Sequence, residues 1–203
     1  MLDFDSYSHL NWSGSWSIHN EEKPSWDYLK NYVEPGCVFL DIGCQKGIYS
    51  QGCIDICGED CTVYGFDVLE HSQIKELEKN NKNFKFFHKA CGDGEPHDVL
   101  VHYDSNTVAP AQETIKLDDF ADEYNLKKID VIKMDVDGCE FPVLRGMTNI
   151  LEKFSPVLMI EIESDLENIK EFLSKYGYKY LYSRNDVNRF FAKNDSYYEA
   201  YYG

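Results

Sequence analysis

From residue 37 onward, short apolar runs alternate with amphipathic stretches, the pattern of strands separated by helices. Cys37–Ile42 reads as a strand and 46–57 as a helix. Thr62–Asp67 is a second strand, followed by an amphipathic helix over 70–80 and a third strand over 84–90. Cys91-Gly92-Asp93-Gly94 marks a turn. Residues 99–103 read as a short strand, 105–113 as a loop and 117–124 as a helix. The strongly apolar strand 129–135 precedes a single helix over 141–153. A buried strand over 156–162, a helix over 165–176 ending at Gly177, and a closing pair, 178–182 and 188–193, complete the pattern.

Strands alternating with helices predict a mostly parallel sheet covered on both faces. The linker between the closing strands is too short for a parallel crossover, so that pair should be an antiparallel hairpin. Ahead of this region, residues 1–36 carry Trp12, Trp16 and Trp26, with His9 and His19, and show little periodicity before Pro24. Ser25 is placed to cap a short helix through Tyr32, stopped by Pro35-Gly36. No internal repeat or linker interrupts the chain. The expectation is one domain over 1–203: an amino-terminal segment 1–36 on the acceptor side, a core 37–193 and a tail 194–203.

Composition narrows the function classes. The 203 residues suffice to bury a core. With 36 acids against 20 bases, the net charge of −16 disfavours nucleic-acid phosphates and anionic membranes alike. A neutral or cationic acceptor fits better. No apolar stretch reaches the ~20 residues of a membrane helix. The start Met1-Leu2-Asp3-Phe4-Asp5 lacks the basic and apolar parts of a signal peptide. The chain thus reads as intracellular, soluble and cytoplasmic, with its seven cysteines reduced. Cys53, Cys57 and Cys61 recur every four residues, and the first two could share a helix face. A zinc site would need a fourth ligand and C-x-x-C pairs, which are absent, so they read as small buried hydrophobes.

The most informative stretch is Val38-Phe39-Leu40-Asp41-Ile42-Gly43-Cys44-Gln45-Lys46-Gly47: a strand ending in an acid, a glycine turn, then a helix. Such turns bring backbone close to a nucleotide-like cofactor at a strand's carboxyl end. A dinucleotide turn reads G-x-G-x-x-G and offers bare amides to a pyrophosphate. Here the turn reads D-x-G-x-x-x-G, so the Asp41 carboxylate should point at the ligand, repelling phosphate and attracting an ammonium. S-adenosylmethionine carries an ammonium and no phosphate, so it fits this turn better than NAD or ATP.

Ligands in open α/β sheets sit outside the strand carboxyl ends, near the reversal of strand order. Asp67 ends the second strand, 26 residues after Asp41, where an acid accepts hydrogen bonds from ribose hydroxyls; the plainer reading is a turn acid. Lys89-Ala90-Cys91-Gly92-Asp93 ends the third and suits an adenine face and edge. In the next strand Lys133, Asp135 and Asp137 should share one face; in the one after it Glu161 and Glu163 should do so. Acids there are costly unless exposed, paired or bound to a cation. Asp135 and Glu161 could line an acceptor pocket as base, hydroxyl acceptors or metal ligands, or be structural carboxylates neutralised by Lys133 and Arg145.

Three segments, VFLDIGCQKG, IDVIKMDVDGCEFPVLRGM and PVLMIEIE, together resemble the FkbM family of S-adenosylmethionine-dependent methyltransferases. The resemblance covers about residues 36–165, and the middle segment is its specific part. It implies a three-layer α/β/α Rossmann-like sandwich with a seven-stranded, mostly parallel sheet. It also implies O-methylation, often of sugars, polyketides or glycans. It places cofactor contacts at Asp41, Gly43, Gly47, Asp67, Lys89 and Ala90, and the expected cofactor set also takes in Ile42, Cys44, Val68 and Asp135. Asp137 stands where many relatives have glutamate, and the amino-terminal segment and tail match no family motif.

For a sugar hydroxyl, a weak acid, Asp135 could act as general base with Glu161 and Lys133 beside it. A Mg²⁺ or Mn²⁺ held by Asp135 and Glu161 could instead acidify the hydroxyl. His19 and His88 are alternative bases. The tryptophans could stack on a sugar or simply cover the sheet edge. A nucleic-acid methyltransferase would need a motif such as N/D-P-P-Y and a basic track, and a nicotinamide oxidoreductase would need G-x-G-x-x-G. Neither is present. A non-sugar small molecule as acceptor, and a cofactor-binding module without catalysis, remain as alternatives.

Overall fold

In the central strands, successive residues alternate between two apolar layers. Phe39, Val63, Val131, Met159 and Phe190 pack with Trp26, Leu29, Ile48 and Tyr49. Their sequence neighbours Leu40, Ile132, Leu158 and Phe191 face the other way, onto Leu117, Phe120, Leu144, Ile150 and Leu173. A sheet buried on both faces between two helical layers follows. The computed structural model describes residues 22–102, 106–183 and 187–193.

One layer holds α1 (Glu22–Leu29), α2 (Ile48–Cys57) and α3 (Ser72–Asn80). The other holds α4 (Leu117–Glu123), α5 (Glu140–Arg145), α6 (Thr148–Lys153) and α7 (Leu166–Ser174). Between them lie β1 (Val38–Ile42), β2 (Thr62–Asp67), β3 (Phe84–His88), β8 (Val131–Met134), β9 (Val157–Glu161), β10 (Lys179–Ser183) and β11 (Asn188–Ala192). Their order is β10-β11-β9-β8-β1-β2-β3. The β9-β8-β1-β2-β3 pairings are parallel; β11 pairs antiparallel with β9 and with β10, so the hairpin read from the short linker is present. Strand order reverses between β1 and β8, and their carboxyl ends form the crevice where a ligand would sit. Among the described residues, no helix is long and apolar enough to cross a membrane.

Four expectations are corrected. Ser25 does not cap a helix. It lies inside α1, fully buried, and its hydroxyl accepts a hydrogen bond from Asn188 Nδ2 at 3.0 Å, tying α1 to β11. The loop expected over 105–113 contains the strand β6 (Asn106–Gln112), antiparallel to β5 (His97–His102). Pro110 obscured it, because a proline removes a ladder donor. Here the register skips between His97 and Val99, whose partners are Gln112 and Ala109, so Pro110 lies opposite the irregularity.

The strand expected over 84–90 divides. β3 ends at His88, while β4 (Ala90–Cys91) pairs with β7 (Thr114–Ile115) in a small sheet of their own. The single helix expected over 141–153 breaks at Gly146-Met147 into α5 and α6. A Cβ on Gly146 would meet the Gly92 carbonyl oxygen at 1.8 Å, so close backbone approach decides that position. The start of α6 is then capped from outside by Asp118, which accepts from the Asn149 and Ile150 amides at 3.0 and 2.9 Å.

Trp26 is buried over Gly52, where a Cβ would approach its ring to 2.5 Å, with Tyr49 edge-on at 5.8 Å. It covers the sheet and is not a sugar platform. Trp12, Trp16, His9, His19 and the tail 194–203 lie outside the described residues.

Candidate active site

The crevice is built around Asp41 and Lys133, register neighbours on β1 and β8. Asp41 does not face the open crevice, as its place beside the glycine turn led one to expect. It is fully buried, and its Oδ2 accepts hydrogen bonds from the Ser50 amide and hydroxyl at 3.1 and 2.6 Å. That contact ties the strand end to the first turn of α2. Asp41 Oδ1 is buried and accepts no hydrogen bond; it lies 3.7 Å from Lys133 Nζ. Burial raises this carboxyl above its ordinary value, with Lys133 and the Ser50 hydrogen bonds opposing the shift.

Lys133 Nζ, itself buried, donates to the Gly43 carbonyl at 2.7 Å and to Asp135 Oδ2 at 3.3 Å. One ammonium thus links the glycine turn, the buried acid and the acid at the mouth. Gly43 has φ +74°, and a Cβ there would sit 1.7 Å from the Asp135 carbonyl oxygen. Only glycine lets the turn lie this close to the end of β8.

The turn's amides are occupied. Gly43 and Cys44 N–H both donate to Phe66 O, Gln45 N–H to Asp67 Oδ2 and Gly47 N–H to Cys44 O. A pyrophosphate site needs such amides unpaired, so this turn does not offer a dinucleotide cradle. The buried Asp41 oxygen that lacks a hydrogen-bond donor has the Lys133 ammonium as its cationic neighbour.

Asp67 bridges the same turn to the end of β2, accepting from Gln45 and Leu69 amides at 2.7 and 2.8 Å; burial raises its carboxyl. Its oxygens carry further lone pairs for a diol. The neighbouring Val68 carbonyl is hydrogen-bonded to His88 Nε2 at 2.8 Å. Ile42 and Cys44 bury their side chains in the two apolar layers, leaving backbone as what they offer a ligand. Lys89 is exposed, and Ala90 is buried in β4.

The alternation expected through Asp137 stops with β8 at Met134. Asp135 remains at the mouth, its side chain 21% exposed. Asp137 is exposed at φ +50° in the turn with Gly138 and does not share Lys133's face as a strand residue would. Glu161 is the last residue of β9, one register step beyond the Met134–Ile160 pair and so beside Asp135 along the sheet edge; Glu163 is exposed beyond the strand. Arg145 neutralises neither Asp135 nor Glu161.

Arg145 instead binds Asp93 Oδ2 through Nε and Nη2 at 2.9 and 2.7 Å, while His97 Nε2 is hydrogen-bonded to Asp93 Oδ1 at 2.7 Å. The His97 hydrogen bond, then Arg145, hold the Asp93 carboxyl well below its usual range. The Cys139 thiol donates to the Asp98 carbonyl at 3.4 Å, which fixes the base of the β5–β6 hairpin against the loop following β8. Neither Ser50's role nor this cluster is marked by any motif, because each joins residues distant in the chain.

The donor set does not fit a protein-held divalent ion at Asp135 and Glu161. Among the described residues, the His, Cys, Asp and Glu groups that bring three or more ligand atoms within 4.8 Å of one another reduce to Cys53, Cys57 and Cys61. Asp135 is already paired with Lys133. A hard cation binds six or more oxygens, most of which would have to come from water or acceptor.

A family model described as the Methyltransferase FkbM domain matches residues 13–180. The chain belongs to the FkbM methyltransferase family. Its fold agrees. This FkbM-family chain is similar to the methyltransferase FkbM of Methylobacillus flagellatus KT, with TM-score 0.56 and 15% identity over 77% of this chain and 43% of that one. It thus spans less than half that protein's length. A putative rRNA methylase from Clostridium thermocellum gives TM-score 0.53 and 15% identity, covering 87% and 96%. A SAM-dependent methyltransferase from Aquifex aeolicus gives 0.51 and 16%, covering 95% and 98%. Likeness at these identities is likeness of fold. No curated protein matches the chain.

Proposed function

We propose that this FkbM-family chain transfers the methyl group of S-adenosylmethionine to a hydroxyl oxygen, that of a sugar in a glycan or of a related small molecule. The observation that carries the reading is the Asp41–Lys133–Asp135 chain, which ties the glycine turn to a partly exposed carboxylate at the carboxyl ends of β1 and β8.

The cofactor supplies a methyl group already activated by its sulfonium. Its amino-acid end would lie at the glycine turn, which Asp41 braces from within through Ser50 and Lys133, and its ribose would fall to Asp67. Ile42, Gly43, Cys44, Gly47 and Val68 would contribute backbone, with Lys89 and Ala90 at the adenine end. Aligning the acceptor oxygen and excluding water can lower a barrier by ~7–11 kcal/mol. Asp135 would accept the hydroxyl proton as the acceptor oxygen takes the methyl group and the carbon–sulfur bond breaks, leaving a neutral thioether. Lys133 acts through Asp135, orienting its carboxylate with a hydrogen bond at 3.3 Å. Glu161, beside it, can accept a second acceptor hydroxyl. No step is assigned to a metal.

The acidic surface of the chain, net −16, favours a neutral acceptor over RNA. The test is incubation with isotopically labelled S-adenosylmethionine and parallel panels of monosaccharides, glycans, non-sugar alcohols and structured RNA, followed by mass analysis. Methyl transfer to a sugar hydroxyl is expected, and Asp135→Asn should cut kcat by at least ~10²-fold with cofactor affinity nearly unchanged. Label found in RNA bases would refute the acceptor. Cofactor binding with no product on any panel would favour the binding-module alternative.

A further inference from the structure

At the end of the sheet opposite the crevice, four cysteines converge. Cys37 precedes β1 and Cys61 precedes β2, and the Thr62 amide donates to the Cys37 carbonyl at 2.9 Å, which sets the two side by side. Cys53 and Cys57, one helical turn apart, come down from α2, which runs from the glycine turn to this edge. All four are buried and none forms a disulfide. The Sγ atoms of Cys53, Cys57 and Cys61 lie within 4.8 Å of one another, and Cys37 belongs to the same buried cluster, outside that trio. Cys37 is thus the thiol that the fold brings nearest to serving as the fourth ligand, and the spacing along the chain does not show it.

We propose that Cys37, Cys53, Cys57 and Cys61 form a tetrathiolate site for a soft, tetrahedral divalent cation of the zinc class. Zinc–sulfur bonds of ~2.3 Å set neighbouring sulfurs ~3.8 Å apart in a tetrahedron, about an ångström inside the limit of the metal-free trio. Binding forms four metal–sulfur bonds and releases the thiol protons to solvent.

A side-chain contact beside the cluster points to a ligand. Asn83 Nδ2 donates to Cys61 Sγ at 3.1 Å while also holding the Gly58 and Cys61 carbonyls at 3.0 and 3.2 Å. An oriented N–H on sulfur is the outer contact that stabilises a metal-bound thiolate. A cavity of about 340 Å³, lined by Ile54, Gly58, Glu59 and residues 79–83, shares Gly58 and Asn83 with this contact. Cys44, Cys91 and Cys139 take no part.

The experiment uses the full chain, purified reduced and stripped of metal, with Co²⁺ as the spectroscopic probe and Zn²⁺ counted by mass spectrometry. One ion per chain is expected, with thiolate-to-cobalt charge-transfer bands and the visible bands of tetrahedral cobalt, displaced by zinc. Cys37→Ser should abolish that spectrum and Cys139→Ser should leave it intact. Should Cys37→Ser not fold, Asn83→Ala keeps all four thiols and should weaken cobalt binding ~10–100-fold. A folded, reduced chain that stays colourless with cobalt would overturn the proposal and leave four small core side chains. So would a tetrahedral spectrum unchanged in Cys37→Ser.

Discussion

Replacing Lys133 by methionine isolates the electrostatics on which the crevice depends. Methionine fills much of the same volume, so the change removes the ammonium and little packing. Asp41 and Lys133 side chains are 1% and 5% exposed, so solvent screens their interaction poorly. Removing one partner of such a pair leaves an uncompensated buried charge and costs ~3–5 kcal/mol. Against a total stability of ~5–15 kcal/mol, that is a large share. Asp41→Asn combined with Lys133→Met removes both charges, and should recover most of the loss because an amide oxygen can still accept from Ser50.

The sign with pH follows. Asp41's folded carboxyl lies above its ordinary value, mainly through burial, and losing Lys133 lifts it further. A raised folded value means that the native state holds the proton longer than the unfolded chain, so stability falls as pH rises above the unfolded value of ~3.9. The deficit of Lys133→Met should therefore shrink as pH is lowered from 8 to 5 in urea titrations. A deficit below ~1 kcal/mol at pH 7, or one that grows on acidification, would show that the ammonium does not compensate Asp41.

Two further outcomes test the geometry. Gly43→Ala imposes a left-handed residue, worth ~1–2 kcal/mol, and sets a Cβ only 1.7 Å from the Asp135 carbonyl oxygen. It should lower the melting temperature and abolish calorimetric binding of S-adenosylmethionine; retained affinity would mean that the turn does not hold the cofactor. Arg145→Met should raise the depressed Asp93 carboxyl. A depressed value contributes stability above the unfolded ~3.9 that is lost as pH falls through the folded value, so the variant's deficit should vanish in acid. An unchanged difference across acid denaturation curves would count against that coupling.

The alternating runs at 38–42, 62–67 and 157–161 made the strands, their parallel arrangement and the closing hairpin legible, because a doubly buried sheet needs apolar residues wherever it lies. The D-x-G-x-x-x-G turn and the acids at the strand ends located the crevice for a similar reason: charged groups there need a partner. What local pattern could not decide was direction and company. Asp41 turns inward because Ser50 reaches it from α2, Lys133 joins three groups brought together by the register of β1 and β8, and Gly146 breaks a helix because Gly92 lies against it. The cysteines show this plainly, since a spacing of four sets three thiols near one another while Cys37 joins their buried cluster from the segment ahead of β1. Side-chain periodicity is fixed by the backbone and can be read along the chain. Pairing between distant segments is set by packing, and only the folded molecule decides it.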